Sequence, residues 1–98
     1  MYARVSKLEG SPEQVDELER IAAEWIAPSL TQMEGFRGIL ALASRRSGEV
    51  QLVTLWESEE ALRQSEEDAD QLRDVTAQAV DGEISGVERY EVVLKHTF

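Results

Sequence analysis

Val50-Gln51-Leu52-Val53-Thr54-Leu55-Trp56-Glu57-Ser58-Glu59-Glu60-Ala61-Leu62 settles the fold, because its hydrophobic period changes in mid-run from that of a strand to that of a helix. Up to Trp56 the side chains are mostly aliphatic, β-branched or aromatic. From Ser58 a residue suited to capping is followed by two glutamates, an alanine and a leucine, which is how a helix begins. Trp56 therefore ends a strand and faces the space between a sheet and its helices.

Upstream, Arg45-Arg46-Ser47-Gly48-Glu49 is polar, with a glycine where a left-handed residue is required, and it reads as a hairpin loop. The strand before it, Ile39 to Arg45, is apolar on both faces until Ser44 and is entered through the glycine-punctuated Glu34-Gly35-Phe36-Arg37-Gly38. Further back, Ser11-Pro12-Glu13-Gln14 is a helix start, with Ser11 as cap, Pro12 in the first turn and Gln14 placed to complete a capping box. Val15, Leu18, Ala22, Trp25 and Ile26 give that helix one apolar stripe, and Pro28 is expected to end or bend it before a short turn over Ser29 to Met33. The first strand is Tyr2 to Leu8, with Tyr2, Arg4, Ser6 and Leu8 on one face and Ala3, Val5 and Lys7 on the other.

Downstream of the corner, Leu62, Ala69, Leu72, Thr76 and Ala79 keep a helical period as far as Asp81-Gly82, with a loosening expected over Ser65 to Asp68. Ile84 opens an extended segment, and Val87 to His96 is read as the last strand. The order βαββαβ, folded through right-handed crossovers, predicts an α+β ferredoxin-like domain: a four-stranded antiparallel sheet with two helices on one face. Ala3/Val5, Leu40/Leu42, Val53/Leu55 and one side of Val92-Val93-Leu94 leave the other face apolar too, and a second copy of the chain packed sheet to sheet is the expected cover.

Ninety-eight residues suit one domain over 1–98. No apolar run approaches the ~20 residues of a membrane span, and Arg4 and Lys7 interrupt any leader-like core, so the expected location is cytoplasmic. A net charge of −10 argues against nucleic acid and anionic lipid as partners. With no cysteine, a single histidine (His96) and no carboxylates at ligand spacing, the chain offers neither a metal site nor a thiol nucleophile. The acidic run Glu66-Glu67-Asp68-Asp70 lacks the glycine-turned loop of a calcium site and reads as a solvated helix face balanced by Arg63 and Arg73.

Gly35-Phe36-x-Gly38, a hairpin, and then Thr54-Leu55-Trp56-Glu57-Ser58-x-Glu60-Ala61-Leu62 resemble the signature of the antibiotic biosynthesis monooxygenase superfamily, the dimeric α+β barrels. In the branch of that superfamily that oxidises aromatic polyketides without a cofactor, the resemblance implies a tryptophan at Trp56, an asparagine four residues before it and a tyrosine six after it. This chain has Leu52 and Leu62 at those two places. In the haem-degrading branch it implies a tryptophan about where Ser65 stands, a histidine about where Val75 stands and an asparagine in the first strand, none of which is present.

Four residues are candidates for a ligand site. Trp56 and Trp25 could form its walls or simply pack the core. Arg4, if it faces the helices, is a buried cation that needs an anion, either a ligand's phenolate or carboxylate or else Glu88 or Glu91 of the last strand. Tyr90 could donate a hydroxyl, or it and Arg89 could belong to ordinary cross-strand pairing. Two functions follow: binding and cofactor-free oxidation of a small aromatic or apolar molecule, with no cofactor called for, or a non-catalytic dimeric ligand-binding or accessory module.

Overall fold

The computed structural model describes residues 1–97. Strands β1 (Tyr2–Glu9), β2 (Phe36–Ala43), β3 (Glu49–Trp56) and β4 (Glu83–Glu91) form one antiparallel sheet in the order β2-β3-β1-β4. The first helical arm runs through a 3₁₀ turn (Pro12–Gln14), α1 (Val15–Ile21), a π segment (Ala22–Ile26) and α2 (Ala27–Thr31); the second is α3 (Glu59–Gln64) followed by α4 (Glu66–Ala79). This is the ferredoxin-like arrangement expected from the sequence.

Register assigns the paired strand residues to faces. Tyr2, Arg4, Ser6 and Leu8 of β1 pair with Trp56, Thr54, Leu52 and Val50 of β3, and this face packs on the helices. Its core joins Leu8, Val50, Leu52 and Trp56 to Leu18, Ile21, Ile26 and Leu30 of the first arm and to Leu62, Ala77 and Val80 of the second. The other face carries Ala3, Val5, Val53, Leu55, Leu40 and Leu42; the last two are more than half exposed.

The turns explain the sequence signals that mark them. Gly48 has φ +84°, and a Cβ there would lie 2.5 Å from the Gly10 carbonyl oxygen, so the hairpin loop nests against the Gly10 turn only because position 48 is bare. Gly35 has φ +82°; a Cβ there would lie 2.5 Å from the Ala61 Cβ, and its carbonyl accepts a hydrogen bond from Glu57 N at 2.8 Å. The glycine before Phe36 thus lets the entry to β2 touch the corner where β3 turns into α3. At that corner the Ser58 hydroxyl accepts from Ala61 N at 3.1 Å, with Glu59 and Glu60 in the first turn.

Four expectations change. Ser11 makes no side-chain cap; its carbonyl accepts from Gln14 N, because the chain enters through a 3₁₀ turn. Pro28 does not end the first arm. The preceding π segment, in which Ala27 N reaches back to Ala22 O, rephases the backbone so that the proline falls in the first turn of α2. The same extra residue per turn moves the apolar stripe to Ala22, Ile26 and Leu30, and Trp25 is turned outward, 38% exposed. Finally, β4 spans Glu83–Glu91 instead of reaching His96: Tyr2 pairs with Glu91, and past that pair the one ladder bond among the described residues is Val92 N donating to Met1 O. Val93 and Leu94 are exposed and add nothing to the sheet face.

Candidate functional site

Trp56 is fully buried at the end of β3, and its position is fixed on three sides. Its indole Nε1 donates to Thr54 Oγ1 at 3.0 Å, Phe36 packs edge-on at 5.4 Å between centroids, and the Arg4 guanidinium stands 5.6 Å from the ring centroid. The Thr54 bond joins two residues on the same face of one strand, which the period of two provides.

Arg4 lies on the central strand facing the helices, 2% exposed. Its Nη2 donates to Leu62 O (2.8 Å), Ser65 Oγ (2.9 Å) and Glu66 Oε1 (3.0 Å), all presented where the second arm breaks between α3 and α4. Ser65 makes that break useful: its hydroxyl donates to Leu62 O at 2.7 Å and accepts from Arg4. Arg4 therefore pairs with Glu66 of the helical layer and not with Glu88 or Glu91. Glu88 is on the opposite face, and the cross-strand partner of Arg4 on β4 is another cation, Arg89.

Arg89 closes the cluster from outside. Its Nε and Nη2 donate to the two carboxylate oxygens of Glu66, each at 2.6 Å. This fork, with help from Arg4, holds the Glu66 carboxyl at about 2, well below the usual carboxylate range. Burial pulls Arg4 down from the ordinary arginine value and Glu66 pulls it back; burial also lowers Arg73, and the neighbouring Arg4 adds to that.

Beside this cluster, between sheet and helices, is a cavity of about 30 Å³. Ile26, Leu30, Ile39, Leu52, Ala69 and Leu72 supply its apolar wall, and Ser6, Thr54, Arg4 and Arg73 its polar atoms. Trp56 lies behind it, in contact with Thr54 and Arg4. A wider depression of about 510 Å³ lies on the outer side of Glu66, where Tyr2, Glu59, Arg63, Arg89 and Glu91 meet.

The structure thus brings two of the four candidates together. Arg4 lines the cavity and Trp56 backs it, whereas Trp25 points away from it. Tyr90 pairs with Ala3 on the face opposite the helices and is 53% exposed, contributing only to the rim of the outer depression. Arg73, read from sequence as a surface counter-charge, is 8% exposed and lines the cavity. Its position was available as a helical offset: it is four residues after Ala69 and three before Thr76, both on the buried stripe. Among the described residues no group of three His, Asp or Glu side chains could hold a metal ion, and no helix is long and apolar enough to cross a membrane.

Comparison with known proteins bears on this geometry. The family model for antibiotic biosynthesis monooxygenase matches residues 1–68, which take in the whole of β1 to α3. Two uncharacterized proteins of Mycobacterium tuberculosis are 29% and 31% identical over 96 residues; the chain spans only 42% and 40% of their lengths. Among solved structures, a Streptomyces coelicolor monooxygenase in complex with nanaomycin D superposes with a TM-score of 0.71 at 18% identity, covering 99% of this chain and 89% of that one. A heme-degrader of M. tuberculosis with two hemes in its active site gives 0.68 at 23%, covering 99% and 100%. A dimeric ferredoxin-like protein from an uncultured marine organism gives 0.71 at 14%, with both chains covered in full. At these identities the superpositions establish a shared fold.

Proposed function

The chain belongs to the antibiotic biosynthesis monooxygenase family, and from that premise we propose that it binds a small, largely apolar aromatic molecule in the cavity between sheet and helices and oxidises it with O₂ without a prosthetic group. The observation that carries this reading is the combination of an apolar cavity wall with a buried guanidinium lining it and a fully buried tryptophan behind. A cation there would favour the phenolate or enolate form of the substrate, which is the form that can give an electron to oxygen. For an anthrone-type methylene the reaction balances as one O₂ consumed, one oxygen atom ending in the new carbonyl and the other leaving, with the two methylene hydrogens, as water.

A cavity of about 30 Å³ is far smaller than the ~300 Å³ of typical small-molecule sites, so a ring enters only when the wall moves. The π segment and Pro28 supply the place for that movement: Ile26 and Leu30, both cavity-lining, sit on either side of the proline, where the helical hydrogen-bond ladder is already interrupted. The open sheet face supports assembly as a homodimer, since an apolar sheet half exposed at Leu40, Leu42 and Tyr90 is costly to leave in water.

One observation favours the second reading, a non-catalytic binding module. Leu52 and Leu62 are both buried and apolar at the positions where the resemblance implies an amide and a phenol, so the cavity has fewer groups to move a proton. Haem is a poorer fit than a free aromatic: Ser65 is engaged with Arg4, and Val75 is half exposed on the outer side of α4, so neither position offers a ligand for iron. Oxygen uptake with a panel of dihydroxynaphthalenes and anthrones decides between the readings. Uptake by the natural protein that falls at least tenfold in Trp56→Phe supports oxidation; uptake no faster than the uncatalysed background for every compound leaves the binding module.

A further inference from the structure

Among the described residues, the cavity is lined by two guanidiniums and by no carboxylate. Arg4 is buried, and while its Nη2 has three acceptors, its Nε is buried with no hydrogen-bond partner. Arg73 lines the same cavity. Its own ion-pair partner, Asp70, is 62% exposed and so lies on the solvent side of α4. Glu66, the carboxylate nearest the interior, is already forked by Arg89 while it serves Arg4. Arg4 and Arg89 thus share one inner carboxylate, while Arg73 reaches its own partner only on the solvent side. Arg4 and Arg73 border a space whose other walls are aliphatic, apart from the hydroxyls of Ser6 and Thr54.

Buried cations are retained when an anion meets them, and a buried N–H with no acceptor marks the place where one is missing. We propose that the ligand of this cavity is a carboxylic acid bound as its anion, the carboxylate held between Arg4 Nε and the Arg73 guanidinium and the apolar body directed toward Ile26, Leu30 and Leu72. The volume suits the assignment: about 30 Å³ is room for roughly two water-sized groups, the scale of a carboxylate head, while the rest of the molecule takes the space opened at the first arm. A phosphate fits less well, since its three terminal oxygens need more donors than one free N–H and one guanidinium supply within aliphatic walls. The assignment rests on the reading of the cavity as the ligand site and narrows it: neutral aromatics bind weakly, and their acids bind well.

Calorimetric titration of the full chain with 1-naphthoate and with its neutral counterpart 1-naphthamide separates the two levels of the argument. The acid is expected to bind at least tenfold more tightly than the amide. Arg73→Gln brings the acid-to-amide affinity ratio to within about twofold of one, and Arg73→Lys restores most of the preference, which a purely structural role for the side chain would not do. Equal affinity of the natural protein for acid and amide, or a preference that survives in Arg73→Gln, overturns the anion site but leaves the cavity a ligand site. Absence of binding by both probes overturns the ligand-site reading as well.

Discussion

Glu66→Gln isolates the ion cluster that joins the first strand, the second helical arm and the last strand. Held at about 2 against an ordinary value of 4.5, the carboxylate's preference for its charged form in the fold corresponds to at most ~3.5 kcal/mol, at ~1.4 kcal/mol per tenfold change in acidity. Glu66 is a quarter exposed, and solvent on that side reduces the figure to ~1–2 kcal/mol. The substitution also leaves Arg4 buried opposite a neutral amide, so the expected loss at neutral pH is ~2–3 kcal/mol, a large share of the ~5–15 kcal/mol of a domain this size. Folding lowers the pKa, so the folded state binds fewer protons than the unfolded one. The contribution is therefore complete above about pH 5 and is lost as pH falls toward about 2. Urea unfolding followed by tryptophan fluorescence should place the Glu66→Gln midpoint roughly 1.5 M below that of the natural protein at pH 7, for a slope of ~1.5 kcal/mol/M. The gap should shrink by about half by pH 3. Midpoints within about 0.3 M of each other at pH 7, or a gap that stays constant down to pH 3, would show that the cluster does not hold the fold as argued.

Asp81 has φ +52° at the end of α4, where Gly82 N donates to Ala77 O and Asp81 N to Gln78 O in a Schellman closure; Asp81→Gly should therefore raise stability by ~0.5–1 kcal/mol, seen as a melting temperature a few degrees higher, and no rise would mean that the aspartate is at ease there. Replacing Leu40 and Leu42 together by aspartate puts two charges on the open sheet face and should convert a particle of about twice 11.0 kDa into one of 11.0 kDa by light scattering, with the far-ultraviolet spectrum unchanged; an unaltered mass would place the contact elsewhere.

The fold was legible because its signals are local. The period change at Trp56–Ser58, the glycine at the 45–49 loop and the alternation of β1 each depend on near neighbours in the chain, and each appears in the structure where the residues put it. The misreadings share a different origin. The π segment cannot be read from composition, yet it alone decides that Pro28 continues the arm and that Trp25 faces outward. The end of β4 at Glu91, opposite Tyr2, is a register property that the apolar run Val92-Val93-Leu94 conceals. That Trp56 and Arg4 face the helical layer could be read because a tryptophan ending a strand and a charge on a helix-facing strand position stand out. The Glu66 contact could not, since it depends on how the second arm breaks at Ser65. Arg73 was hidden by its charge, although its helical offset from Ala69 placed it on the inner stripe.

The strand order also bears on how the polypeptide comes off the ribosome. By the time Trp56 has emerged, three adjacent strands and the first arm can already assemble, but the carboxylate for Arg4 has still to be made and one flank of β1 is bare. Until β4 arrives, the growing chain presents both an unsatisfied interior cation and an open strand flank to chaperones and proteases. Docking of β4 then covers that flank and, through Arg89, ties down Glu66 in the same movement, so both openings close together.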